Sequence, residues 1–183
     1  SAADQYEPMT FAKDLYTAAG ANMTEGKDAY EKGDFETALA KLKAGLDGYA
    51  KAKVEAQKNK TEAFLKVARE NADKDWQKVA DYATKAGQVD ESNAKAKTLL
   101  AQAKEKQNEI SGLLRQANAA RNANWSAVLT HAQKVLALES GNVKAKELIA
   151  EAKQKQGEVA QTLAEAKKYL DKDWVEVKKF SQK

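Results

Sequence analysis

Asn124-Trp125-Ser126-Ala127-Val128-Leu129 is the stretch whose reading decides the fold, because variants of it occur twice more at a fixed distance. Asp75-Trp76-Gln77-Lys78-Val79 stands 49 residues before it, and Asp173-Trp174-Val175-Glu176-Val177 stands 49 residues after it. The residues between repeat as well. Asn93, Ala96, Lys97, Leu99, Leu100, Ala103, Lys104, Lys106 and Gln107 return as Asn142, Ala145, Lys146, Leu148, Ile149, Ala152, Lys153, Lys155 and Gln156. One period that carries apolar and turn positions together is the signature of a helical repeat array. A Trp just after a turn and three residues before a Val is placed as a hairpin-closing core residue. Trp76, Trp125 and Trp174 are therefore read as structural, with Phe35 taking the same place 41 residues before Trp76. Loss of Trp125 is expected to cost roughly 3–5 kcal/mol on this reading.

Composition agrees with an all-α chain. Ala, Lys, Glu, Gln and Leu dominate, β-branched residues are scarce, and Pro8 is the one proline. Large apolar residues are few, so the helices must approach over small side chains. The 31 basic and 27 acidic residues are spread along the sequence for a net charge of +4. Only Arg69, Arg115 and Arg121 are arginines, which argues against bidentate phosphate recognition and so against nucleic acid as partner. There is no cysteine, hence no disulfide or thiolate chemistry. No run approaches the ~20 apolar residues of a membrane span, and no signal peptide precedes the helical sequence. The third Trp turn lies so close to Lys183 that the chain reads as a fragment of a longer protein.

Spacing places the elements. Pro8 suits the first turn of a helix over about 8–31, carried by Phe11, Leu15, Ala18, Ala19 and Asn22 or Met23. Gly33 ends it and Asp34 caps the next. That second helix either breaks at Leu46-Asp47-Gly48, which Gly45 and Gly48 favour, or runs unbroken from Asp34 to about Asp73. Beyond it come a short helix over about 75–88, a long one over about 93–121, and a further long one over about 142–171. Tight turns are expected at 73–75, 89–92, 122–124, 139–142 and 171–173. Lys106-Gln107 and Lys155-Gln156 interrupt the apolar stripe midway along each long helix. Each long helix should thus pack its first half on the preceding short helix and its second half on the following one, with Lys-Gln exposed between. The predicted architecture is a single repeat domain of tandem antiparallel helical hairpins, with units at roughly 8–60, 61–110 and 111–159 and a partial one at 160–183.

The segment Gly26-x-x-x-Tyr30-x-x-Gly33-Asp34-Phe35-x-x-Ala38-Leu39-x-x-Leu42 resembles the tetratricopeptide repeat (TPR). Gly26, Gly33, Asp34, Phe35, Ala38 and Leu42 match that pattern, whereas the closing Pro is missing and the later units exceed the family's period of about 34 residues. The resemblance implies a TPR-like superhelical solenoid that binds a protein or peptide partner. A spectrin-like three-helix rod with shared helices is the alternative architecture. The opening Tyr6-Glu7-Pro8 followed by an Ala-rich helix and Gly-Asp-Phe is also similar to the N-terminal helical regions of bacterial envelope lipoproteins, which implies the periplasm or cell surface.

Candidate chemistry is sparse. His131 is the only histidine, and its repeat-equivalents are Tyr82 and Phe180. Those three positions vary while their scaffold repeats, so they are candidate interface residues, although a packing role at the core edge is the simpler reading. Asp73/Asp75 and Asp171/Asp173 are read as helix-terminus carboxylates rather than metal ligands. Lys95/Lys97, Lys144/Lys146, Lys104/Lys106 and Lys153/Lys155 are read as a solvated face with Glu partners. No Gly-rich phosphate loop, zinc spacing or nucleophile motif occurs, so neither catalysis nor a cofactor or metal is expected. The expected function is a protein–protein interaction scaffold or adaptor. The rivals are a structural spacer rod and a salt-sensitive polyanion- or cell-wall-binding module of an envelope protein.

Overall fold

The structure, a computed structural model, describes residues 6–181, with side chains described through Leu170 and at Lys172 and Trp174. The described residues form seven α-helices and no strand: α1 (Pro8–Phe11), α2 (Lys13–Glu31), α3 (Phe35–Glu70), α4 (Trp76–Val89), α5 (Ala94–Ala120), α6 (Trp125–Leu138) and α7 (Val143–Ser181). They divide into two compact units, residues 1–72 with 77–104, and residues 73–76 with 105–183.

In the first unit α2 and α3 form a close antiparallel hairpin. Gly33 turns the chain at φ +80°, and Asp34 accepts a hydrogen bond from the Thr37 amide at 3.1 Å. The Thr37 hydroxyl foremost, and then its amide, lower the pKa of the Asp34 carboxyl. Helix α3 runs through Gly45 and Gly48 without a break, against the interruption that two glycines favoured. Both glycines serve contact instead. A Cβ at Gly45 would lie 2.6 Å from Met23 Sδ, and one at Gly48 would lie 2.9 Å from Ala19 Cβ. Gly26 does the same from α2, where a Cβ would meet Leu42 Cγ at 2.8 Å. Three glycines thus permit the approach, which outweighs their cost of about 1 kcal/mol each inside a helix.

The single helix expected over 8–31 is interrupted at Ala12, whose φ of −150° separates α1 from α2. Ala12 is buried in a cluster with Ala52 and Ala56, edged by Tyr6, Phe11 and Tyr16. Asn59 Nδ2 donates to the Phe11 carbonyl at 2.8 Å, which satisfies a group that the interruption frees. Further along the same unit, Leu65 of α3, Ala86 of α4 and Ala96 of α5 form a second cluster, flanked by Phe64 and Leu99. The turn between α4 and α5 is organised by Asp90, which accepts from the Ser92 amide, the Ser92 hydroxyl and Asn93 Nδ2. These donors, the Ser92 hydroxyl foremost, lower the Asp90 pKa.

The second unit packs α6 against α7. Positions one repeat apart share their burial: Val79, Ala83 and Ala86 match Val128, Ala132 and Val135, and Ala96 and Ala103 match Ala145 and Ala152. Asn124 caps α6 by accepting from the Ala127 amide, and Asn142 caps α7 by accepting from the Ala145 amide. Arg121, beyond the end of α5, forks onto Glu151 of α7 at 2.9 and 3.0 Å.

Two expectations fail in this unit. Lys106 and Gln107 are partly buried rather than exposed; Lys106 pairs with Glu109 one turn ahead at 3.0 Å and feels the carboxylates of Glu105 and Asp73. The turn expected at 171–173 is absent, and α7 continues to Ser181. At 39 residues and 1.5 Å each, α7 is about 58 Å long against about 21 Å for the 14-residue α6, so it outruns the helix that covers it.

Candidate functional site

Trp76 is the best-held of the four aromatic positions, and a second turn holds it. Its side chain is 6% exposed, and Nε1 donates to the Leu138 carbonyl at 2.7 Å. The Trp76 amide, unpaired at the start of α4, donates to the Glu139 carboxylate at 2.9 Å. Ser140 donates twice to the Asp73 carbonyl, from its amide at 2.9 Å and its hydroxyl at 3.1 Å. The Gly141 amide donates to the Lys74 carbonyl at 3.2 Å. A side chain at position 141 would collide with that carbonyl, so only glycine fits. Asp73 completes the turn with φ 60°, a left-handed conformation that Asp tolerates better than most residues. This interlock joins segments more than sixty residues apart, and sequence reasoning missed it. The available signals were the indole N–H, which needs an acceptor once buried, and a glycine in a turn that repeats as Ser92 in the preceding unit.

The other aromatic positions are placed differently. Trp125 is partly buried, and no acceptor among the described residues meets its indole N–H. Its loss should therefore cost less than the full burial of a Trp implies, nearer 2–3 kcal/mol than 3–5. Phe35 is 65% exposed at the start of α3, with its ring edge-on to Tyr30 at 5.6 Å, so it covers the turn rather than filling a core. Trp174 closes no hairpin here, since it lies inside α7 and is 65% exposed.

Tyr82 and His131, the two variable positions among the residues with described side chains, belong to different units. Tyr82, in the first unit, is partly buried with its ring tilted against Phe64 at 6.1 Å and Lys85 Nζ 4.5 Å above it. His131, in the second unit, is partly buried with Nδ1 enclosed and without a hydrogen-bond partner. Both are edge-packing side chains. The side chain of Phe180 lies outside the described residues. Among the described residues no group of three or more His, Asp or Glu side chains is placed to hold a metal, and no helix is long and apolar enough to cross a membrane. Several lysines of the recurring sets are matched to carboxylates, Lys95 to Glu62 at 3.3 Å and Lys155 to Glu158 at 2.6 Å. The Lys155 and Gln154 bonds lower the Glu158 pKa.

The feature that invites a ligand is the second half of α7. Every described residue from Gly157 to Trp174 is exposed. Val159 is 53% exposed, Leu163 64%, Leu170 59% and Trp174 65%. With Ala166 they lie on the same side of the helix as Ala145, Leu148 and Ala152, all eight within an arc of about 80° at 3.6 residues per turn. Over its first half, then, this face is buried in the unit that α6 shares, and over its second half the same face is bare. One repeat earlier, the equivalents of Val159 and Ala166 are covered, Ile110 at 5% exposed and Ala117 fully buried, and Leu114, the equivalent of Leu163, is partly buried. The composition of the face is apolar and aromatic with Lys and Glu at its margins, which suits an amphipathic helix.

No known protein family matches the chain, and neither the curated proteins nor the solved structures include a similar one.

Proposed function

We propose that the chain is a TPR-like protein–protein interaction scaffold, acting without catalysis, and that the second half of α7 is its binding face. The observation that carries this reading is the continuity of that face. A stripe buried at Ala145, Leu148 and Ala152 proceeds, uncovered, through Val159, Leu163, Ala166 and Leu170. An amphipathic helix from a partner protein would bury it as α6 helps bury the first half, with apolar anchors at three- and four-residue spacing. Contiguous exposed apolar side chains of this size mark interaction surfaces more often than they serve a solvated one. The pairing of lysines with neighbouring glutamates supports this over binding to a polyanion, which would require free positive charge.

Retention of partners by the immobilised chain, at low and high salt, tests the reading. A discrete protein held at high salt by the wild type and released by Leu163→Glu is the expected result. Retention that washes off with salt and ignores Leu163→Glu would instead establish the polyanion-binding alternative. Recovery of nothing would leave a spacer rod.

A further inference from the structure

Helix α3 carries two apolar sides. Gly45, Ala52 and Ala56 line the side that meets α1 and α2. About 120° around the helix runs a second side, which changes character midway. Towards its C-terminal end it is covered within the same unit: Gln57 Nε2 donates to the Val89 carbonyl at 2.9 Å, and Phe64 flanks the cluster of Leu65, Ala86 and Ala96. From Phe35 to Val54 the same side is bare. Phe35, Leu39, Leu46, Ala50 and Val54 lie within an arc of about 100° at 3.6 residues per turn. All five are exposed, Leu39 at 71% and Leu46 at 63%. The exposed ring of Tyr30 extends the stripe from Phe35.

We propose that this stripe is a dimerisation surface, on which α3 of a second copy of the chain packs antiparallel. Its charge is self-complementary. Lys43 and Asp47 stand on one edge of the stripe, both exposed, and among the described residues neither has an ion-pair partner, whereas the nearby Lys41 pairs with Glu25 at 2.6 Å. In an antiparallel pair whose two-fold axis passes at the level of Gly45, like edges meet, so Lys43 of each copy faces Asp47 of the other. Two such pairs set the register. Leu46 then meets Leu46 of the other copy at the axis, and Leu39 sits over the small Ala50 of the other copy. The area suffices as well. At roughly 100 Å² for each side chain, Tyr30, Phe35, Leu39, Leu46 and Val54 offer about 500 Å² per copy. Two such stripes bury about 1,000 Å², the size at which specific interfaces begin. The surface belongs to the first unit and is independent of the α7 face.

Sedimentation equilibrium of the full chain, from low to high micromolar concentration, tests the proposal. The expected result is a reversible equilibrium between the 20.0 kDa monomer and a species of twice that mass. Leu39→Glu should raise the dissociation constant about tenfold or more. Because Leu39 is exposed, the circular dichroism melt should stay unchanged, which separates lost docking from lost folding. Lys43→Asp should weaken the dimer several-fold, and Lys43→Asp/Asp47→Lys should restore it, because the pairs reform with their signs exchanged. The chain lacks cysteine, so orientation can be read by mild oxidation. Leu46→Cys should give a disulfide-linked dimer and Ala50→Cys should not, since its two thiols lie about 15 Å apart in the antiparallel pair. Linkage of both variants would overturn the antiparallel packing. A monomer at every concentration would overturn the proposal outright. So would a dimer that ignores Leu39→Glu, and its loss with Leu163→Glu would place the second copy on α7 instead. Retention of partners by the α7 face is judged by its own experiment, whatever the result at α3.

Discussion

Removing one N–H from Trp76 is the sharpest perturbation that the interlock allows. Trp76→Phe keeps an aromatic ring in the site but deletes the Nε1 donor that meets the Leu138 carbonyl at 2.7 Å. A neutral hydrogen bond contributes about 1 kcal/mol, and leaving a partly buried carbonyl unpaired adds a cost of about the same size. The volume lost at a side chain only 6% exposed contributes roughly another half to one kcal/mol. The sum is about 2–3 kcal/mol. Trp125→Phe removes an indole N–H that has no acceptor among the described residues from a site only partly buried, so its cost should fall below about 1 kcal/mol. In a chain of this length 1 kcal/mol moves the melting temperature by about 2–4 °C. Thermal melts followed by far-ultraviolet circular dichroism should therefore shift by roughly 5–10 °C for Trp76→Phe and by less than about 4 °C for Trp125→Phe. Equal shifts would refute the argument that the second turn, rather than the repeat itself, holds Trp76.

Other substitutions probe separate features of the fold. Gly141→Ala should destabilise by at least about 2 kcal/mol, because the new Cβ collides with the Lys74 carbonyl, whereas Gly157→Ala, with open space around it in an exposed helix, should stabilise by up to about 1 kcal/mol; urea midpoints moving in the same direction would contradict both. His131→Phe should raise the melting temperature, since it replaces an enclosed, unpartnered Nδ1 with the residue type found at the equivalent position 180. Acid should act through the turn carboxylates. The pKa values of Asp34 and Asp90 are lowered from 3.8 by their hydrogen bonds, so their stabilisation is present above that value and is lost as pH falls through the lower folded values. Asp34→Asn/Asp90→Asn should consequently show a flatter loss of stability below about pH 4 than the wild type in acid melts.

The elements legible in the sequence were those set by local and periodic signals. The 49-residue period located α4 through α6 to within a residue or two, because apolar positions and capping residues repeat together at Val79 and Val128, and at Asn93 and Asn142. Where contacts between distant segments decide, the same signals misled. Gly45 and Gly48 look like helix breakers, yet Ala19 and Met23 of α2 give them a packing role. Ala12 carries no breaking signal at all, and its interruption comes from burial against Ala52 and Ala56. The residues at 171–174 show the limit most plainly, since an identical tetrapeptide at 73–76 is a turn. The bare face was half legible. Its stripe could be read from Val159, Leu163 and Leu170, but an apolar stripe looks the same whether or not a helix covers it.

The core is built mostly from the smallest apolar side chain. Ala52, Ala56, Ala68, Ala86, Ala103, Ala117, Ala132, Ala145 and Ala152 are fully buried, and among the described residues only Leu65, Val79, Val128 and Val135 are larger side chains buried to that degree. Alanine has no rotamers to freeze, so ordering such a seam costs little side-chain entropy. It also has little relief, since knobs of one carbon do not fix where one helix lies along another as firmly as interdigitated leucines do. Longitudinal register must then come from elsewhere. In the second unit it is set where polar geometry is unforgiving: the fork of Arg121 on Glu151, and the turn in which Gly141 meets Lys74. Helices packed this way resemble smooth rails pinned at their ends, and slippage between them is governed by a handful of hydrogen bonds rather than by the core.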